Sequence, residues 1–344
     1  FRVASGKMFK MWFKFSRFKV VLNSRCVTKR LLNSATTNIY SHLKAIEHKL
    51  VPPVSNSLIF NGKIKVMAVG GPNNRRDFHI EMGEEIFYQI KGGMDLDIVV
   101  NDSIVRIHIR EGEYFLLHAG IPHSPQRYPN SIGIVFERDR SEKELDCMRW
   151  YKENGSDIEY EEYFHCKDLG TQIKQVIENF HNFSVNNKCQ PSSFMSIDSK
   201  SDQRSFERMK SDLLNLRNDH LVSNPQNFNE EIMDFMANTS HISRVLIDSE
   251  FRLSLLKPQH PSILSEEFRI INERKIGNES NHFNTAFLWQ LKGESDLNWI
   301  DRNVSLKTDE VTMVNLSDIE LKKIEQNRSN DENSCLIVLS NRCT

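Results

Sequence analysis

"RRDFHIEMGEEIFYQIKGG", Arg75 to Gly93, holds one histidine and four acidic side chains between apolar, strand-like segments and closes on two glycines. Side chains alternate between the two faces of a strand, so residues an even number apart share a face. His79 and Glu85 are separated by an even step and flank a turn signal at Gly83, so both can point inward from neighbouring strands. Two readings compete for such a segment: a solvated hairpin turn, or half of a metal site.

Outward from this stretch, Lys63 to Glu137 reads as a series of short strands. "IKVMAV", "EIFYQI", "DLDIVV", "IVRIHI", "EYFLL" and "IGIVF" are β-branched or aromatic runs, divided by the turn signals "GGPNN", "KGG", "VND", "REGE" and "AGIPHSP". Short strands at this rhythm predict an all-β barrel or jelly roll rather than an α/β sheet. "VRIHI" alternates, with Val105, Ile107 and Ile109 on one face and Arg106 and His108 on the other, so His108 is expected to face solvent.

The pattern changes from Ser141 to about His220. "SEKELDCMRWY" and "GTQIKQVIENFHNF" have helical periodicity, the second with Ile173, Val176, Ile177 and Phe180 on one face. "QPSSFMSIDSKSDQRSFERMK" is polar and linker-like, and "SFERMKSDLLNLRNDH" predicts a surface helix. A second strand-rich block is expected from near Ser265, and it echoes the first. "FYQIKGG" (Phe87 to Gly93) is answered by "LWQLKGE" (Leu288 to Glu294), and "EGEYFLL" (Glu111 to Leu117) by "TDEVTMV" (Thr308 to Val314). Two β units of one design follow. Carried across this echo, His79, Glu85 and His123 fall on Ser280, Ala286 and Glu320, so the second unit is expected to be metal-free. Its expected role is to cover one face of the first barrel, which makes a monomer plausible.

With 344 residues and 39% hydrophobic content the chain can bury one large or two modest cores. No apolar run reaches the ~18 residues of a membrane helix, so no membrane partner is expected. The net charge of −1 gives no electrostatic case for nucleic acid. That charge is uneven: Phe1 to Ile46 carries ten Lys/Arg and no Asp/Glu, leaving about −11 on the rest. An acid-free, Ser/Asn/Thr-rich basic segment has the composition of a mitochondrial transit peptide; the alternative is a disordered extension without that role. A cytoplasmic location is expected, with the mitochondrion as the alternative if residues 1–38 are a genuine targeting segment. The cysteines, Cys26, Cys147, Cys166, Cys189, Cys335 and Cys343, include no C-x-x-C pair, which predicts free thiols in a reducing compartment.

Three residues stand out as metal ligands: His79, Glu85 and His123, the last in "AGIPHSP" after a further strand. Two imidazoles and one carboxylate on strand ends make a facial triad, which suits non-haem Fe(2+) because it leaves coordination positions open. The same segments resemble the cupin superfamily. Its first motif is represented by His79, Ile80, Glu81, Glu85 and Gly92, with Glu81 where many cupins have a second histidine, so three protein ligands are implied instead of four. Its second motif is represented by Gly112, Gly120 and His123, with His118 in the usual proline place and Arg127 replacing the usual asparagine. "VMAVGGPNNRRDFHIEMGEEIFYQIKG", "FLLHAGIPHSPQR" and "YFHCKDLGTQI" are then similar to one family, 3-hydroxyanthranilate 3,4-dioxygenase, over roughly Val51 to Ile173. The second half, with "FLWQLKG", resembles the longer animal-type, two-cupin form more weakly.

This resemblance implies a cupin (double-stranded β-helix, jelly-roll) barrel followed by a degenerate cupin-like β domain. The implied organisation is a basic extension over 1–38, a catalytic cupin domain over 39–175, a helical and polar linker over 176–264 and a metal-free β domain over 265–344. The implied reaction is Fe(2+)-dependent opening of the aromatic ring of 3-hydroxyanthranilate by O2. Arg127 would anchor the substrate carboxylate, Glu137 would accept the phenol proton or hold the amine, and Arg75 would lie at the oxygen site; Glu85 would serve both metal and substrate. Apart from the family, Arg127 and Glu137 read as a surface ion pair, Arg75 beside Arg76 as a solvated turn, and Glu81 and Glu84 as solvated or behind the ligands. His118 is left out of the metal set, and Gln89 reads as a strand-pairing residue. Two other functions stay open: a non-catalytic metal-binding cupin regulator, and a cupin enzyme for another catechol-like acid.

Overall fold

A computed structural model describes residues 36–341, apart from 51–54, 74, 154–156, 167–168, 187–199, 217–221, 259–261, 274–284, 300–301 and 316–333. Most of the basic extension read over residues 1–38 lies outside the described residues. The fold class is all-β with a few helices: a first unit of two facing six-stranded antiparallel sheets, and a second unit built on one further six-stranded sheet and a two-stranded hairpin.

The first sheet runs, edge to edge, Gln226–Asn227, Glu113–Leu117, Glu85–Lys91, Ile132–Arg138, Ile64–Gly70, Asn56–Phe60. The second runs Ile158–Phe164, Asp146–Tyr151, Asp77–Ile80, His123–Arg127, Met94–Val100, Ser103–Ile109. Strand alternation then sorts the side chains of the first sheet. Met67, Val69, Phe87 and Val135 face inward and meet Leu96, Ile98, Phe115 and Leu117. Val66, Ala68, Ile86, Tyr88, Ile134 and Phe136 face the other way and are also buried.

What buries that outer face is the second unit. Its six-stranded sheet, ordered Thr37–Asn38, Glu310–Asn315, Thr285–Lys292, Cys335–Asn341, Phe251–Leu256, Ser243–Asp248, packs Phe251, Leu253, Phe287, Trp289, Ile337 and Leu339 against it. Edge-on ring contacts stitch the junction: Phe136 to Phe287 at 5.3 Å and Tyr88 to Trp289 at 5.9 Å between centroids. This explains why "EIFYQI" reads as a nearly continuous apolar run: the strand is covered on both sides.

The sequence echo is real in the backbone. Gly92 and Gly293 both take positive φ, at 65° and 72°, to turn the chain after the paired strands. Gly112 and Asp309 do the same at 83° and 67°. Each donates its backbone N–H to the matching glutamine carbonyl, Gly112 to Gln89 at 2.8 Å and Asp309 to Gln290 at 2.7 Å. Of the positions opposite the ligand triad, Ala286 is a buried strand residue, while Ser280 and Glu320 lie outside the described residues.

Two expectations need correction. "SEKELDCMRWY" is not helical: Asp146–Tyr151 is a strand paired on both sides, with Asp77–Ile80 and Ile158–Phe164, and tertiary pairing overrides its local periodicity. The sheet of the second unit draws two strands from inside the stretch 176–264 read as linker, because Ser243–Asp248 and Phe251–Leu256 form a hairpin on its edge. The helix Leu169–Asn186 lies where the periodicity placed it, and Lys200–Asn215 covers the predicted surface helix but begins five residues earlier, inside the stretch 190–210 read as linker, part of which falls outside the described residues. His108 is 63% exposed at its side chain, as the alternation predicts, and contacts Asp95. The described cysteines Cys147, Cys166 and Cys335 are free and buried.

Glu84 fastens the units together. Buried at the first barrel's rim, its carboxylate accepts hydrogen bonds from the Ser249 hydroxyl, the Glu250 N–H at 3.0 Å and His118 Nδ1–H at 2.8 Å. Burial raises its pKa, but His118 and Ser249 outweigh that and hold it below the usual glutamate value. A depressed pKa contributes stability that is fully present above the ordinary carboxylate range and lost as pH falls below it. Glu84→Ala should cost about 2–4 kcal/mol of unfolding free energy at neutral pH. Glu84→Gln should flatten the acid limb of stability against pH; urea titrations from pH 7 to pH 3 check both.

Candidate metal centre and substrate cavity

Register builds the site. Glu85 lies directly opposite Glu137 on the first sheet, and His79 directly opposite His123 on the second. Each pair faces the interior, so four ionisable groups meet between the sheets, all buried. The His79 and His123 rings sit 5.3 Å apart, edge to face. His123 Nε2 reaches across the sandwich to within 3.0 Å of Glu85 Oε2. That contact lies outside hydrogen-bond geometry, and Glu85 Oε2 is buried without a hydrogen-bond partner.

The ligand atoms of His79, Glu85 and His123 all lie within 4.8 Å of one another. An orphaned carboxylate oxygen facing two imidazoles in a dry site is costly unless a cation completes it. The donor set, two nitrogens and one oxygen, fits a divalent transition metal. Both rings are oriented from behind. His123 Nδ1 donates to the Ile121 carbonyl at 3.1 Å, and His79 Nε2 donates to Asp146 Oδ2 at 2.8 Å. Burial lowers the pKa of His79, overcoming the pull of Asp146, so the ring is neutral at neutral pH, as a ligand must be. Burial raises Glu85, but the charge of His123 outweighs it and keeps Glu85 low. Glu137 is pushed well above the usual range by burial, then by the charges of Glu85 and Asp146.

These groups border a cavity of about 180 Å3. All six predicted site residues, Arg75, His79, Glu85, His123, Arg127 and Glu137, line it, with Met67, Val69, Phe87 and Val135 as apolar walls. Ile173, Lys174 and Ile177 of the helix Leu169–Asn186 also line it. That helix is held by Phe180 stacked on Trp150 at 4.3 Å. Arg127 and Glu137 are therefore not a surface ion pair. Arg127 shares the inward face of its strand with His123, four residues earlier. Its backbone N–H donates to the Asn73 side chain, while its Nε is buried without a partner. Burial and the neighbouring Arg75 push its pKa down, to about 9, against the pull of Glu85, so it stays cationic at neutral pH. Arg75 is steered by Asp77, to which Nε donates at 2.8 Å, and by Gln126, which brackets its backbone.

Residues absent from the sequence-based set also shape the site. Asp146 and Arg140 stand behind His79 and Glu137, and Glu81 is buried against Arg140 instead of solvated. The links that local spacing does not show are the long-range ones, Asp146 to His79 across 67 residues and Glu81 to Arg140 across 59. His118 belongs with Glu84, outside the ligand group. Gln89 is buried in its strand.

The profile of 3-hydroxyanthranilic acid dioxygenase matches residues 31–181. The 3-hydroxyanthranilate 3,4-dioxygenase of Neurospora crassa is 46% identical over 147 residues, 43% of this chain and 82% of that protein. The chain belongs to the 3-hydroxyanthranilate 3,4-dioxygenase family. The Xenopus tropicalis member is 52% identical over 130 residues, 38% of this chain and 46% of that protein. The chain thus spans about half the length of the vertebrate family members it matches first. Among solved structures, a cupin 2 conserved barrel domain protein from Leptotrichia buccalis aligns with 92% of this chain and all of its own, at 10% identity and a TM-score of 0.40.

Titration of the metal-stripped protein with Co(II) should show one site per chain. His123→Ala and Glu85→Ala should weaken it at least ~100-fold, beyond the loss usual for a residue behind the ligands. His118→Ala should leave the affinity unchanged; a drop there would place the ion elsewhere.

Proposed function

We propose that this chain is a ferrous dioxygenase that opens the ring of 3-hydroxyanthranilate with O2, yielding 2-amino-3-carboxymuconate semialdehyde. The observation that carries this reading is the half-buried Arg127, whose Nε is buried without a hydrogen-bond partner, beside a two-histidine, one-carboxylate cluster in a cavity with apolar walls. An iron ion bound by His79, Glu85 and His123 would supply the redox chemistry and the open positions for an aminophenol and O2.

The chain's own residues do the rest. Arg127 would bind the substrate carboxylate in a charge-assisted pair, relieving the cost of its own burial. Met67, Val69, Phe87 and Val135 would hold the ring flat and exclude water. Glu137 would take the phenol proton at its carboxylate once the negative charge of Glu85 is neutralised, since that charge helps to keep Glu137 protonated. Arg75, kept in place by Asp77, would stabilise negative charge developing on dioxygen. The second unit covers the outer face of the first sheet, which supports a monomer. Among the described residues no helix is long and apolar enough to cross a membrane.

Purified protein loaded with Fe(II), given 3-hydroxyanthranilate in air, should produce the absorbance of the semialdehyde. Arg127→Ala should raise KM by about 10–100-fold, the worth of a charge-assisted pair of ~1.5–3 kcal/mol, with iron content unchanged. Iron-loaded wild-type protein that makes no product would favour a metal-binding regulator. Turnover of a different catechol-like acid alone would redirect the substrate assignment.

A further inference from the structure

Arg140 follows the strand Ile132–Arg138 by two residues, and its side chain is only 3% exposed. Its guanidinium is divided among three buried carboxylates. Nη1 donates to Glu137 Oε2 at 2.8 Å, Nε to Asp146 Oδ1 at 2.9 Å and Oδ2 at 3.0 Å, and Nη2 to Glu81. Asp146 Oδ2 is the same oxygen that receives the His79 Nε2–H. One side chain is therefore a single hydrogen bond from Glu137, on the first sheet, and two from His79, on the second.

We propose that Arg140 is the positioning residue of this site: it locks the cavity-facing carboxyl of Glu137 and, through Asp146, the ring of His79, so that metal arm and substrate arm are set by one group. The inference rests on the dioxygenase reading for its substrate arm, whereas its metal arm stands on the structure alone. Arginine is the side chain for the task. Its planar fork presents five N–H donors in fixed directions, enough to engage three carboxylates at once. A lysine ammonium at the same place supplies the charge from one point and cannot span them. Without the guanidinium, Asp146 keeps its bond to His79 but loses both hydrogen bonds from Arg140, and Glu137 loses its ion pair with Arg140. Groups behind a metal ligand typically change affinity or activity by ~10–100-fold when removed.

The test uses the full chain and two readouts. Co(II) affinity of the metal-stripped protein should fall ~10–100-fold in Arg140→Ala and in Asp146→Asn. The double variant should be no weaker than the weaker single one, since both act along one path to His79. Fe(II)-loaded Arg140→Ala should lose kcat on 3-hydroxyanthranilate by a comparable factor, with KM within about threefold, because Arg127 is untouched. Arg140→Lys keeps the charge and should fold if Arg140→Ala does not; it should show the same Co(II) and kcat losses. Wild-type behaviour of Arg140→Lys, additive Co(II) losses in the double variant, or a change in KM alone would each overturn the proposal. If wild-type protein binds Co(II) but forms no product with Fe(II), the dioxygenase reading fails, while the Co(II) cycle still decides the role of Arg140.

Discussion

Strand register is the constraint on which the site depends. Glu85 faces Glu137 across one sheet, and His79 faces His123 across the other, so two cross-strand pairs confront each other through the sandwich. A slip of one residue in either pairing would turn a ligand out of the cavity. The apolar neighbours enforce the register. Ile86 and Tyr88 are committed to the outer core, and Phe87 to the inner one, so Glu85 has only one face available.

Bringing that much ionisable chemistry into a dry interior sets the electrostatics. Four carboxyl groups, Glu81, Glu85, Glu137 and Asp146, lie close together, and Arg140 is the shared cation of three of them, Glu81, Glu137 and Asp146. Asp146, between Arg140 and His79, is held down at about 2 although burial opposes it. Glu137, beside Glu85, is driven the other way. Neighbouring carboxyls with opposite shifts give the site one permanent anion and one exchangeable proton, a division of labour suited to acid–base work. Arg75 and Arg127 supply positive charge on the cavity side.

Much of this was legible in the residues. The short alternating runs from Lys63 to Glu137 specified strands, and His79 and Glu85 were legible as inward-facing, but they stand on opposite sheets and not on the neighbouring strands that their even spacing suggested. His123 stood out after a further strand, whereas Arg75, Arg127 and Glu137 came only from the family resemblance. The echo between Gln89 and Gln290 identified the second unit before any register was known. What stayed hidden is non-local. Asp146 sits in a segment whose own periodicity looked helical, and only its pairing with Asp77–Ile80 brings it to His79. Glu84 looked like a solvated turn because the Ser249–Phe251 backbone that neutralises it lies more than 160 residues away in sequence. The hairpin from Ser243 to Leu256 was masked by the polar stretch before it, and its strands become recognisable by what they cover.

The two-sided burial of Glu85–Lys91 reaches beyond packing. Its amides and carbonyls lie at the centre of a sandwich clad by a second sheet, so local fraying offers no route to open it. Glu85 is thus mounted on the part of the molecule that comes apart last, whereas Asn73 and Arg75 stand on the loop that leads into Asp77–Ile80. The second unit, by packing on the outer face of that strand, thereby shields the backbone that carries Glu85 without contributing a side chain to the cavity.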